Sequence, residues 1–145
     1  MHIERSGSFV LPFPRERAFE LFTPEGERAW VAGWAPEALH APEGRTDVEG
    51  AVFRTAATAE ETLWIVLRVD REAFVGEYVR ITPGDRLGTV RVALSESEAG
   101  CRVDVRYRLT SLSPAGEAVL AETTEAAFAE TMEQWRRETT AALAG

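Results

Sequence analysis

The period of the apolar and polar residues changes near residue 113. Before that point, residues 51–109 form short apolar or alternating runs that are typical of β-strands. After it, apolar or small residues recur at steps of three and four, which places them on one helical face: Leu120, Thr124, Phe128, Met132, Trp135 and Thr139. The sequence therefore predicts a β-rich body followed by one long amphipathic helix that starts at about Ser113 and runs almost to the C-terminus.

Five strands are predicted in the middle of the chain, at about residues 51–58, 61–70, 74–82, 87–95 and 101–109. The segments between them are short and rich in turn-forming residues, as in Pro83-Gly84-Asp85, and this regular spacing predicts an antiparallel meander. In the last strand, charged residues alternate with apolar ones from Arg102 to Leu109. We therefore expect one face of the sheet to be solvated and the other to be covered by the long helix.

The N-terminal part predicts one strand and two short helices. The strand covers about residues 3–11, and Pro14 can begin the first helix because its missing N–H group costs nothing there. Thr23 suits the cap of the second helix, which carries Trp30. Two prolines and a glycine between residues 36 and 48 indicate a long surface loop. The first helix is expected to bury Ala18, Phe19 and Phe22.

Length, net charge and cysteine content limit the kinds of domain, partner and metal site that this chain can have. The 145 residues fit a single domain, 1–145, and the 24 acidic and 16 basic residues give a net charge of −8. This charge argues against nucleic acid and anionic membranes as partners. No apolar run approaches the length of a membrane span and no signal-peptide pattern is present, so we expect a cytoplasmic protein without membrane insertion. A single cysteine, Cys101, excludes an internal disulfide and a cysteine-rich metal site.

The order of elements, together with three local segments, resembles a known fold. The segments are FTPEGERAWVAGW at 22–34, YVRITPGDRLGTVRV at 78–92 and YRLTSLSPAGEAVL at 107–120. They resemble the START-like (SRPBCC, Bet v 1-like) superfamily, whose members include polyketide cyclase/dehydrase-type and stress-response ATPase-activator-type proteins. The resemblance implies an α+β helix-grip fold. Its parts are a curved antiparallel sheet of six or seven strands, two short helices after the first strand, and a long C-terminal helix packed across the sheet.

The same resemblance implies a ligand site between the long helix and the concave face of the sheet, with the short helices closing one end. By position, the ligand-binding candidates are Phe128, Met132 and Trp135 on the helix, Trp64, Tyr78 and Tyr107 on strands, and Trp30 and Trp34 near the mouth. The strand 61–70 is apolar on both faces, so Trp64 could point either way. Aromatic residues also form ordinary cores, and for Phe9, Phe19 and Phe22 we expect that role.

Three functions remain open at this point. The first is binding of a small hydrophobic or amphipathic molecule in a cavity that the helix leaves unfilled. The second is a polyketide cyclase/dehydrase-like or hydrolase-like enzyme that uses polar groups of the same pocket. The third is a protein-interaction module like the chaperone activators, and a homodimer is a further open alternative. No nucleotide-binding, serine-hydrolase or zincin motif is present, so we expect no cofactor and no metal.

The polar candidates have ordinary alternatives. Glu60, Glu61 and Glu77 would have raised pKa values inside a cavity, but on a solvated face they would be surface charges. His2 and His40 have no orienting partner in the sequence. The strand arginines could form a cationic stripe on the outer face or cross-strand ion pairs, and one buried arginine could bind a ligand carboxylate: Arg68, Arg80, Arg91, Arg106 and Arg108.

Overall fold

A seven-stranded antiparallel sheet forms the body of the protein in the computed structural model, which describes residues 1–56 and 60–145. The strands are β1 (His2–Leu11), β2 (Glu37–His40), β3 (Val52–Thr55), β4 (Thr62–Asp70), β5 (Val75–Thr82), β6 (Arg86–Ser97) and β7 (Gly100–Ser111). The helices are α1 (Arg15–Ala18), α2 (Pro114–Glu122) and α3 (Glu125–Ala144). Short 3₁₀ turns cover Phe19–Phe22, Gly26–Ala29 and Pro42–Gly44.

The sheet order is β1-β7-β6-β5-β4-β3-β2, so the first strand closes against the last strand of the meander. β1 pairs with β7 in one unbroken register from His2 opposite Thr110 to Leu11 opposite Cys101. The predicted meander and the six or seven strands are confirmed. The end of the strand expected at 51–58 lies outside the described residues, and β3 itself ends at Thr55.

The predicted surface loop at 36–48 is wrong in part, because it contains β2. All four side chains of β2 are exposed, so the segment has no alternation of apolar and polar residues that could reveal a strand. Pairing with β3 holds it at the sheet edge. The Arg54 guanidinium also donates to both carboxylate oxygens of Glu37, at 2.9 and 2.7 Å.

The two faces of the sheet differ as the alternation in the last strand predicts. Val103, Val105 and Leu109 are buried on the concave face. On the outer face, charges pair across strands, with Arg108 Nε 2.6 Å from a Glu4 carboxylate oxygen and Arg91 Nε 3.3 Å from Glu77. These contacts confirm the ion-pair alternative for those arginines.

The single long helix expected from residue 113 is wrong in one respect, because the chain breaks into α2 and α3 at residues 123 and 124. Thr124 fits the helical face by spacing, but it is the N-cap of α3, and its Oγ1 accepts a bond from the Ala127 N–H at 3.1 Å. Ser113 caps α2 in the same way through the Gly116 N–H, so this helix begins at the predicted position. The break lets α2 cover β7 while α3 lies against β1.

α3 packs tightly against β1 at Gly7. A Cβ atom added at Gly7 would lie 2.6 Å from Met132 Cγ and 3.3 Å from the Phe128 ring, so only glycine permits this approach. The other half of the concave face is covered by residues 15–34, which we call the helical connection. Its Thr23 accepts a bond from the Gly26 N–H at 3.1 Å. The predicted cap position is nevertheless wrong by two residues, because the second helix is a 3₁₀ turn that begins at Gly26 with Glu25 as its N-cap.

Candidate functional site

A small cavity lies where α3, the helical connection and the concave face meet. Its volume is about 30 Å³, which is room for about two water molecules. Small-molecule sites commonly measure about 300–1,000 Å³, so the void is far smaller than an ordinary ligand pocket. It is lined by Phe22, Pro24, Glu27, Phe53, Trp64, Tyr78, Val90, Val92, Tyr107 and Trp135.

Four of the eight sequence-predicted site residues meet at this cavity: Trp64, Tyr78, Tyr107 and Trp135. Trp64 points to the concave face, stacked on Phe53 at 6.0 Å with its Nε1 donating to Thr55 Oγ1 at 3.0 Å. The sequence left open which face of the strand Trp64 occupies, and in the structure it is the concave face.

The other four candidates lie around the cavity without lining it. Phe128 and Met132 pack on β1 at Gly7. Trp30 donates its indole N–H to the Leu21 carbonyl at 2.7 Å, and Trp34 donates to the Pro24 carbonyl at 2.7 Å. Both tryptophans therefore find their hydrogen-bond partners inside the helical connection.

Glu27 is the charged residue of the cavity lining, and it is not among the candidates predicted from the sequence. It lies on the 3₁₀ turn Gly26–Ala29, and its half-buried side chain lines the cavity. Within the described residues, no group donates a hydrogen bond to its carboxylate. Burial raises the pKa of Glu27 to about 8, since the apolar surroundings disfavour the charged form.

A weak signal for Glu27 was present in the sequence. Glu27 and Trp30 are three residues apart and share one face of a helical turn. Trp30 packs beside the cavity without lining it, so this spacing indicated the region of Glu27 but not its contact with the cavity. The glutamates considered from the sequence lie elsewhere. Glu60 is ion-paired with Arg86 at 2.7 Å, Glu77 faces outward with Arg91, and Glu61 is exposed.

The two tyrosines of the cavity differ in their bonding. The Tyr78 hydroxyl donates to the Phe22 carbonyl at 2.8 Å, and a Cβ at Gly76 would lie 2.7 Å from that hydroxyl oxygen. Burial raises the pKa of Tyr78. Burial also raises the pKa of Tyr107 to about 12, although the nearby Arg80 charge opposes this. The Tyr107 hydroxyl has no hydrogen-bond partner in the described part of the chain.

Arg80 corrects the expectation of an arginine stripe on the outer face, since it lies on the concave face with Tyr78. Its guanidinium carbon is 5.3 Å from the centre of the Trp64 ring, and its buried Nε has no hydrogen-bond partner among residues 1–56 and 60–145. Gly88 stands opposite Arg80 in the register, and a Cβ atom there would collide with the backbone of Arg108 on β7. Burial lowers the pKa of Arg80.

The histidines and the cysteine lie away from this site. His2 is within 2.9 Å of Thr110 Oγ1 on the exposed sheet edge, and His40 is exposed on β2. Cys101 is buried in the core. Over residues 1–56 and 60–145, no three His, Cys, Asp or Glu side chains are grouped as a metal site would need, and no helix is long and apolar enough to cross a membrane.

Comparison with known proteins identifies the fold. No protein-family model and no curated protein matches the sequence. Among solved structures, the Bet v 1 allergen Ara h 8.0201 superposes with a TM-score of 0.65 at 12% identity, covering all of both chains. An uncharacterised protein from Rhizobium leguminosarum matches with a TM-score of 0.69 at 14% identity, covering 99% of this chain and 95% of the other.

Norcoclaurine synthase from Thalictrum flavum matches with a TM-score of 0.65 at 9% identity, covering 94% of this chain and 86% of that protein. A second structure of that synthase, in complex with dopamine and hydroxybenzaldehyde, matches with a TM-score of 0.66 at 10% identity. The predicted Bet v 1-like helix-grip fold is confirmed. At these identities the likeness establishes the fold and leaves function to be argued from the site.

Proposed function

We propose that this chain binds a small, mostly apolar aromatic molecule in the cavity between α3 and the concave face. The observation that carries the proposal is an aromatic cavity whose lining includes two polar groups, Glu27 and Tyr107, that have no hydrogen-bond partner among the described residues. Apolar walls with a few polar groups are typical of small-molecule sites. The synthase of the same fold in complex with dopamine and hydroxybenzaldehyde supports a small aromatic guest.

A guest larger than about two water molecules requires a wall of the cavity to move. The helical connection is the part best suited to move, because the indole N–H bonds of Trp30 and Trp34 are made within it and can travel with it. The bond from the Tyr78 hydroxyl to the Phe22 carbonyl links the connection to the sheet beside the cavity. Binding would break this bond and free the hydroxyl for the guest.

The proposal is tested by filling the void. Val90→Ile adds one methylene group to a lining residue, whereas Val79→Ile makes the same change on the opposite face of β5 and β6 and serves as the matched control. Tryptophan fluorescence is titrated with ethylbenzene and benzyl alcohol, since four tryptophans surround the site. We expect binding by the wild type and the control and a several-fold loss in Val90→Ile. Absence of binding, or equal binding by all three proteins, would refute the proposal.

A second candidate function is an enzyme with cyclase-, dehydrase- or hydrolase-like chemistry, which the Glu27 carboxyl favours. A group whose pKa is about 8 can accept or give a proton near neutral pH. The test is exchange of hydrogen for deuterium next to the carbonyl of a small aryl ketone in heavy water, followed by NMR. Catalysed exchange that Glu27→Gln removes would support an enzyme, and equal background rates would exclude this chemistry.

A further inference from the structure

We propose that the cavity selects a guest that carries a basic nitrogen, with the Glu27 carboxylate holding the ammonium group. This inference rests on the proposed function, because it names the chemical class of the guest for the same cavity. Burial removes water molecules from the Glu27 carboxylate, and the N–H groups of the ammonium would donate hydrogen bonds in their place.

The Glu27 carboxylate has no counter-ion among the described residues that line the cavity. Glu27 is the one charged side chain among the described residues that line the cavity. Arg28, its neighbour in the sequence, has its Nε 2.8 Å from Glu25, and Arg71 binds Glu20 and Asp47 at 2.7 and 2.9 Å. A carboxylate in apolar surroundings without a partner is unfavourable, and an ammonium group would supply the missing charge and hydrogen-bond donors.

The cavity walls are largely aromatic, which also favours a cation. The faces of tryptophan, tyrosine and phenylalanine rings attract cations, and Phe22, Tyr78 and Trp135 line the cavity beside Glu27. Phe22 and Trp135 are themselves in contact, with ring centres 6.3 Å apart. The net charge of −8 also raises the concentration of cations near the protein.

The cavity is less favourable for an anionic guest, because no positively charged side chain is among its described lining residues. The Arg80 guanidinium is not among the lining residues and stacks on Trp64 instead. An anion in the cavity would share it with the Glu27 carboxyl, whereas Arg80 lies outside the lining. The arrangement therefore favours a cation.

The ionisation of Glu27 gives the inference a pH dependence. The titratable groups around it are Tyr78 from β5 and Tyr107 from β7, with Arg80 next to Tyr107 and the Arg71 ion-pair cluster near Tyr78. α3 contributes Trp135, which does not titrate. Because burial raises the pKa of both tyrosines, they stay neutral between pH 6 and 8 while Glu27, with a pKa of about 8, changes charge.

Binding of an ammonium ion must therefore displace a proton from Glu27 at low pH. The ionised fraction of a group with a pKa of about 8 rises about 50-fold from pH 6 to pH 8. We expect the affinity for an amine to rise by up to that factor over this range. The affinity for a neutral guest of the same shape should not rise.

The experiment compares benzylamine with benzyl alcohol by isothermal titration calorimetry at pH 6 and pH 8. The proteins are the wild type, Glu27→Gln, and Glu16→Gln on exposed α1 as the matched control. Glutamine keeps the shape of Glu27 and removes an unfavourable charge, so the variant should fold. We expect the wild type and the control to prefer benzylamine at pH 8, and Glu27→Gln to lose at least about 10-fold in benzylamine affinity.

The outcomes separate this inference from the proposed function. If benzyl alcohol binds as well as benzylamine at pH 8, or if Glu27→Gln keeps the preference, the inference is overturned and the cavity still binds small aromatics. If neither compound binds the wild type at either pH, the proposed function fails and the inference fails with it.

Discussion

Replacing Glu27 by glutamine should stabilise the fold, and the gain should grow with pH. In the unfolded chain the carboxyl has its ordinary pKa of 4.5, whereas burial raises the value in the native state to about 8. Below pH 4.5 both states are protonated, so the native state is not penalised. Between pH 4.5 and 8 only the unfolded state releases the proton, so stability is lost as the pH rises. Above pH 8 both states are ionised and the loss is complete.

The magnitude follows from the same two values, because one pKa unit corresponds to about 1.4 kcal/mol. The free energy of unfolding of Glu27→Gln should exceed that of the wild type by about 1 kcal/mol at pH 5, about 3 kcal/mol at pH 7 and about 5 kcal/mol at pH 9. Other titrating groups are common to both proteins and cancel in the difference.

The assay is urea unfolding of both proteins at these three pH values, followed by circular dichroism. Phe19→Leu is the control, because it changes a fully buried core residue that carries no charge and does not line the cavity. Its effect on stability should be the same at every pH. A difference between wild type and Glu27→Gln that does not change with pH would refute the assignment of a buried, unpaired carboxyl.

Three further predictions concern packing and capping. Gly7→Ala should lower stability by about 1–3 kcal/mol in urea unfolding, since its Cβ would meet Met132 at 2.6 Å; unchanged stability would mean that α3 lies farther from β1. Ser113→Ala and Thr124→Ala should each cost about 1 kcal/mol in the same assay through loss of an N-cap bond, and a neutral Thr124→Ala would argue for one continuous helix. Trp135→Ala should enlarge the cavity, so benzene should raise its thermal melting temperature more than that of the wild type; equal shifts would contradict the position of the cavity.

The sequence was informative wherever side-chain periodicity follows burial. The alternation in β7 predicted both faces of the sheet, because its inward residues are apolar and its outward residues are charged. β2 carried no such signal, since every side chain in it is exposed. The break before α3 was missed for the opposite reason: Thr124 keeps the helical spacing, while its side chain caps a new helix.

The candidate site was harder to predict than the fold. Aromatic residues marked its general location, and four of the eight predicted candidates line the cavity. The volume of the cavity, however, depends on the distance between the sheet and the elements that cover it, α3 and the helical connection. The pattern of residues does not predict that distance to within an ångström. Glu27 was missed because its burial is created by tertiary packing around a short 3₁₀ turn.

The central claim is that the space between α3 and the sheet admits a guest beside Glu27. A crystal structure of the protein soaked with benzylamine at pH 8 tests it most directly. We predict density for the ring between Trp135 and Tyr78, with the nitrogen within hydrogen-bond distance of the Glu27 carboxylate and the bond from Tyr78 to Phe22 broken. An unchanged, closed cavity at a benzylamine concentration that saturates binding in solution would contradict the claim.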